Sequence, residues 1–213
     1  MPLPFSREQF LAIFASYGQA VWPLQVLAYL LGIVAIASLA FHNDQRNRVV
    51  PGVLAVMWLM TGLGYHLLFF AEINEAAYFF AAAFAAQGAA FGYLAIGRSI
   101  LGFGFPGGVS GVVGFAFVAY AAVLYPAIGL WAGYPYLAVP AFGITPCPVT
   151  LFTFGVLLLT TSRVPGWLLI IPGLWSVVGG TAGFLLGVPQ DWMLLFGGGI
   201  AIAALYFRKR PAF

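Results

Sequence analysis

Charge is what this sequence has least of. Only 6% of its 213 residues are charged, where soluble domains carry about 25%, and that shortage excludes an ordinary water-soluble domain. Cysteine occurs once, at Cys147, which excludes an internal disulfide and a cysteine cage for a metal. Histidine occurs twice, at His42 and His66. These lie toward opposite ends of their apolar runs, so they cannot share a haem or assemble a metal site, and no cofactor is expected. The only lysine, Lys209, stands in the C-terminal tail, which removes the intramembrane Schiff base that a retinal protein needs. Alternating segments of about ten residues, the mark of a transmembrane β-barrel, are missing. A pI near 9.2 raises the question of nucleic acid, but the bases are too few and too scattered to form a binding patch.

What the chain has is oil. It is 63% hydrophobic with a mean hydropathy of +1.02, and several apolar stretches reach about 20 residues, the length that crosses a hydrocarbon core of roughly 30 Å. Backbone polar groups in lipid must be satisfied within the segment, so the expected fold is all-α, a polytopic transmembrane helical bundle forming a single domain. Seven spans are expected, at about 21–41, 50–71, 75–97, 109–131, 148–162, 167–187 and 191–207. With the N-terminus outside, the inner side collects Arg46, Arg48, Arg98, Arg163, Arg208, Lys209 and Arg210 against Asp44. The outer side collects Glu8, Glu72, Glu75 and Asp191 against Arg7. Positive residues favour cytoplasmic loops, so an odd number of spans and a cytoplasmic C-terminus follow.

Ahead of the first span, Ser6 and Gln9 have the spacing of a capping box, and Phe10, Ile13, Phe14 and Tyr17 share one helical face. A helix over about 6–17 is expected, either lying as a short interfacial helix on the outer membrane surface before the chain turns inward at Trp22 and Pro23 or simply extending the first span. Three later segments begin alike, "RVVPGVL" at 48–54, "FPGGV" at 105–109 and "RVPGWLL" at 163–169. They suggest three helical hairpins, 50–97, 106–162 and 165–207, although proline in a first helical turn is common anyway.

Polar groups are expensive inside a bilayer and so mark the candidate site. The second span carries Trp58, Thr61, Tyr65 and His66 and ends near Glu72. The third opens with Asn74 and Glu75 and holds Gln87 near its middle. The fifth opens at "TPCPVTLFTFG" with Cys147, Thr150 and Thr153, and the sixth holds Trp175, Ser176 and Thr181. His66, with an ordinary pKa near 6.5, is read either as a pH-sensing group at an acidic outer mouth or as a neutral imidazole bonded to a neighbouring helix. Cys147, between two prolines at a helix start, is read either as a reactive thiol or as part of a shaped turn. Gly179, Gly180, Gly183 and the glycines at 197–199 are expected to let helices approach closely.

"SREQFLAIFASYGQAVWPLQVLAYLL", "YHLLFFAEINEAAYFF", "FGITPCPVTLFTFG" and "VPGWLLIIPGLWSVVGGTAGFLLGVPQDWMLL" together resemble the successive signatures of an uncharacterised bacterial multi-pass integral membrane family, a domain of unknown function. The resemblance covers nearly the whole chain. It implies a bacterial inner-membrane protein, assigns no activity, and emphasises Trp58, Tyr65, His66, Asn74, Gln87, Pro146, Cys147, Pro148 and Thr150.

The residues favour a channel or transporter for a small neutral or weakly charged solute. Its vestibule or path would be lined by Trp58, Tyr65, His66, Glu72, Asn74, Gln87, Cys147, Thr150 and Ser176. The rivals are a non-catalytic subunit or assembly factor of a membrane complex and an intramembrane enzyme using Cys147 or His66. The expected partners are the lipid bilayer, a small-molecule solute, and either further copies of the chain or a membrane complex; no nucleic acid is expected.

Overall fold

The computed structural model describes residues 4–41, 44–97 and 100–207. The described residues are helical apart from connections and one isolated antiparallel bridge between Phe103 and Thr160. Helix α1, Arg7–Ala20, begins with the expected capping box: Gln9 N donates to Ser6 Oγ at 3.3 Å and Ser6 N to Gln9 Oε1 at 2.8 Å. Its buried face is Phe10, Ile13, Phe14 and Tyr17. The chain then bends by 83° into α2, Trp22–Ser38. Pro23 fits the first turn of α2, where a missing N–H costs no hydrogen bond, and Gln25 Nε2 steadies the bend by donating to Gly18 O.

Helix α3, Arg46–Leu59, continues through a π-helical stretch, Met60–Leu67, and a single 3₁₀ turn, Phe70–Glu72. It returns as α4, Ala76–Ile96. Helix α5, Gly108–Ala119, passes through a second π-helical stretch, Tyr120–Leu124, into α6, Tyr125–Trp131. Helices α7, Pro146–Leu158, α8, Ile170–Leu185, and α9, Trp192–Tyr206, complete the bundle.

Four continuous stretches are long and apolar enough to cross a membrane: Arg46–Glu72, Ala76–Ile96, Gly108–Trp131 and Gly166–Leu185. The bent pair α1–α2 makes five if taken as one span. Helices occupy all seven expected segments, but two are short. The 13 residues of α7 cover about 20 Å and the 15 of α9 about 22 Å at 1.5 Å per residue, less than the roughly 30 Å of a hydrocarbon core.

The expected fifth span, 148–162, is therefore corrected to a shorter helix that ends at Leu158. Beyond it the chain turns and bonds to the 100–104 segment, through Thr161 N to Gly102 O at 2.7 Å and Gly104 N to Leu159 O at 3.1 Å. Every residue of α7 is buried. It is a central post surrounded by protein, so its length is free of the bilayer's demand.

Helix α3 packs on α4, α5 on α7 and α8 on α9, while α7 also touches α3, α8 and α9. Close approach depends on glycine at the tightest crossing, where a Cβ on Gly180 would lie 2.7 Å from Leu195 Cβ. Outward faces carry exposed Ile33, Phe79, Val109 and Phe196, an apolar surface suited to lipid and prone to aggregate in water.

At one end of the bundle α1 covers the loop before α7 and the turn after α8. Tyr17 Oη donates to Ile144 O at 3.0 Å, and Tyr134 Oη to Gly187 O at 3.3 Å. The 3₁₀ turn with Glu72 lies at this same end. The starts of α3, with Arg46 and Arg48, and the α7–α8 connection, with Arg163, lie at the opposite end. The charge-sorting expectations for Arg98, Arg208, Lys209 and Arg210, and the placement of His42, fall outside the described residues.

Candidate site: a cavity beneath the N-terminal helix

The site begins with the way α8 ends. Gly187 adopts a left-handed backbone, φ 66°, its N–H donates to Phe184 O at 3.2 Å, and Val188 N donates to Gly183 O at 2.8 Å. These two bonds are the Schellman arrangement that stops a helix and reverses the chain. The following 3₁₀ turn, Pro189–Asp191, folds back so that Asp191 lies against Gly183, in space that a Cβ on Gly183 would occupy.

Asp191 is only 2% exposed. Tyr125 Oη donates to its Oδ1 at 2.5 Å, and the Cys147 thiol donates to it as well. Tyr125 directly follows the second π-helical stretch, and Tyr120 within that stretch donates to Gln190 O at 2.9 Å, so α5–α6 grips the turn twice. Cys147 is the second residue of α7, behind Pro146 at a helix start where proline's missing N–H is harmless.

Cys147 and Asp191 line a cavity of about 390 Å³, within the range of small-molecule sites. Phe5, Phe10 and Phe14 form one wall, Phe70 and Phe80 another. Tyr65, Asn74, Cys147, Trp175, Thr181 and Asp191 supply the polar atoms, and the rim toward α8's outer face is Val177, Val178 and Leu185. The walls are braced by ring contacts, among them Phe14 stacked on Tyr65 at 5.0 Å and Phe5 edge-on to Phe70 at 5.3 Å.

No base influences Asp191 among the described residues. Its turn lies outside the four candidate spans, and burial pushes its carboxyl up to about 6 while the bonds from Tyr125 and Cys147 pull it back. Buried polar atoms around the cavity without a hydrogen-bond partner are Tyr65 Oη and both ring nitrogens of His66, while Trp175 Nε1 points to Cys147. Most buried polar groups in proteins are paired, so this concentration singles the region out.

The expected site residues separate into four groups. Tyr65, Asn74 and Cys147 line the cavity; Asn74 Oδ1 also accepts from Ala76 N at 3.2 Å and so caps α4. His66 stands one layer behind, fully buried and ringed by Tyr65, Phe70, Phe80, Phe84 and Trp175, with its centroid 4.7 Å from Phe84 and 5.0 Å from Trp175. It is therefore within an aromatic enclosure and not at an acidic mouth. Glu72 is exposed on the 3₁₀ turn and does not line the cavity.

The deeper residues bond within the protein. Trp58 Nε1 donates to Thr153 Oγ1 at 2.8 Å, Gln87 Nε2 to Leu168 O at 3.1 Å, Ser176 Oγ to Gly173 O at 2.7 Å and Thr150 Oγ1 to Pro146 O at 2.8 Å. His66 and Cys147 flank Trp175 but do not bond to each other. The nucleophile–base pair that an intramembrane enzyme would need is not formed. Among the described residues no three His, Cys, Asp or Glu side chains gather as metal ligands.

Sequence reasoning missed Tyr125 and gave Asp191 only a place among interfacial acids. The available signal was the pairing of "GVPQD", a reversing turn ending in an acid, with the glycine at 183 that makes room for it.

The fold and cavity define the class, an all-α bundle with four to five helices able to cross a membrane and one aromatic cavity closing on a buried carboxyl. The chain belongs to DUF6064, a family of unknown function, which matches residues 7–212. No curated protein and no solved structure matches it.

Proposed function

We propose that this is a polytopic bacterial inner-membrane protein that binds a small solute in the α1-end cavity and carries it across the bilayer. In this reading all seven helices from α2 to α9, with α5 and α6 as one, are transmembrane. The N-terminus and the cavity face the outside, and α7 and α9 are short because neighbouring helices and local thinning of the bilayer accommodate them. The observation that carries the reading is the cavity itself: a roomy aromatic chamber with the buried Asp191 carboxyl in its lining.

A carrier fits better than an open pore. Gln87, Ser176, Thr150 and Thr153 spend their hydrogen bonds inside the protein, so a solute leaving the cavity inward needs a rearrangement of helices. The two π-helical stretches are suited to one, since such irregular turns recur at functional sites. Purified protein in liposomes tests the reading directly. Uptake of some member of a broad panel of small amines, amides, alcohols and weak acids should exceed that of empty liposomes, and Ala182→Phe, which fills the cavity, should abolish it. No uptake of any compound above the empty-liposome rate would end the proposal.

A further inference from the structure

We infer that the cavity receives a lipophilic ammonium ion, its positive nitrogen at the Asp191 carboxylate and its hydrocarbon part against the phenylalanines of α1 and α4. This rests on the solute-binding reading above and names the solute's chemistry.

The argument starts from charge. Asp191 lines the cavity and is almost wholly buried. The titratable groups that face it are Tyr120 and Tyr125 from the α5–α6 segment, Cys147 from α7 and Tyr65 from the π-helical stretch after α3. None of them is a base. An ionised carboxyl taken out of water is costly unless it is both hydrogen-bonded and paired. Tyr125 and Cys147 supply the hydrogen bonds, and the cavity leaves room for the missing cation.

The walls point the same way. Ring faces are negative and attract cations, alkylammonium groups in particular, and Phe10, Phe14, Phe70 and Trp175 present rings to this space. Tyr65, whose buried Oη has no partner, lines the same space. A carboxylate solute would meet Asp191 with no base among the described residues to offset the repulsion. A hydrated inorganic cation would have to shed its water into walls that are mostly hydrocarbon.

The rim selects for a lipophilic tail. Val177 and Leu185 are 57% and 62% exposed on α8's outer face and border the cavity, so the mouth opens toward the side that would meet lipid. An amphipathic amine partitioned in the bilayer surface can enter there with its tail still covered.

The test is a shape-matched series on the unaltered chain. Protein in lipid nanodiscs at pH near 8, where the carboxyl is ionised and an alkylamine remains protonated, is titrated with phenethylammonium, 2-phenylethanol and phenylacetate. Binding is followed by calorimetry. The ammonium should bind at least about tenfold more tightly than the alcohol, and phenylacetate should not bind. Asp191→Asn should weaken the ammonium at least about tenfold and leave the alcohol unchanged.

Equal binding of ammonium and alcohol, or no effect of Asp191→Asn on the ammonium, would overturn the ammonium assignment. If the alcohol still binds and Ala182→Phe removes that binding, the solute-binding reading survives alone. Binding by none of the three also overturns the assignment, and the liposome panel then decides the broader reading. Because the series needs no substitution, a variant that fails to fold does not spare the inference.

Discussion

Gly183 on α8 is a glycine because of Asp191: a Cβ at position 183 would overlap the aspartate's own Cβ and carboxyl. The two are joined by the Schellman turn at Gly187, which sends the chain back over the last turn of α8. Backbone and side chain are therefore coupled, and the carboxyl cannot be moved without moving the turn. Gly183→Ala should force the 189–191 turn outward at a cost of about 1–3 kcal/mol, as overpacked sites show. Its melting temperature should fall and Cys147, normally 6% exposed, should react faster with a maleimide. An unchanged melting temperature and labelling rate would show that the turn absorbs the methyl group and that the coupling is loose.

The same carboxyl makes a prediction about pH. Its folded pKa, about 6, lies above the ordinary 3.8, so between those values the folded state holds a proton that the unfolded state has lost. Stability without solute should then fall as pH rises from about 4 to 6, by roughly 2–3 kcal/mol at 1.36 kcal/mol per pKa unit, and stay lowered above that window. Asp191→Asn keeps an oxygen for Tyr125 and removes the charge, so it should melt higher than the wild type at pH 8 and match it near pH 4. Parallel melting curves for the two proteins across this range would refute the account.

The helix positions were legible because proline and glycine break the apolar runs where the chain must turn, as at Pro23 and Pro165; Pro51, by contrast, lies inside α3, which starts five residues before it. The role of α7 was not. "PCPVTLFTFGVLL" is apolar all round, and a helix surrounded by lipid reads the same as one surrounded by other helices. His66 could be seen as a polar residue in oil, but its enclosure draws rings from the π-helical and 3₁₀ stretches after α3, from α4 and from α8, contacts that no local pattern encodes. Asp191 was legible as an acid at a helix start; its burial follows from the turn at Gly187 and the missing side chain at Gly183, two positions whose joint meaning appears only in three dimensions.

The enclosure of His66 has an energetic consequence. Both ring nitrogens are buried without a partner, and an unsatisfied polar group costs about 1–3 kcal/mol. Phenylalanine offers a similar ring without those atoms. His66→Phe should therefore raise the melting temperature. If the imidazole takes part in solute movement, uptake should fall in the same variant. A lowered melting temperature would show instead that the imidazole holds a bond, through water or solute, that phenylalanine cannot replace.

Gln87 separates structural from functional polarity. Its Nε2 donates to Leu168 O in the 3₁₀ turn that leads into α8, and at 2% exposure it has no route to solvent. Gln87→Leu should destabilise by about 1–3 kcal/mol through the orphaned carbonyl while leaving solute affinity at the distant cavity unchanged. Loss of affinity at wild-type stability would place Gln87 on the solute's path.

The orientation can be checked with two exposed residues at opposite ends of the bundle, Glu75 at the start of α4 and Arg163 in the α7–α8 connection. In a Cys147→Ser background, Glu75→Cys should react with a membrane-impermeant maleimide on intact cells, and Arg163→Cys only after the membrane is opened. The expectation follows from the positive-inside rule, since Arg46, Arg48 and Arg163 share one end and Glu72 and Glu75 the other. Reversed labelling would put the cavity on the cytoplasmic side and turn the carrier from an importer into a protein loaded from within. Labelling of both from the same side would mean that α5–α7 does not cross the bilayer an even number of times as arranged here, and the span assignment would have to be redrawn around a re-entrant α7, which at 13 residues is shorter even than α9.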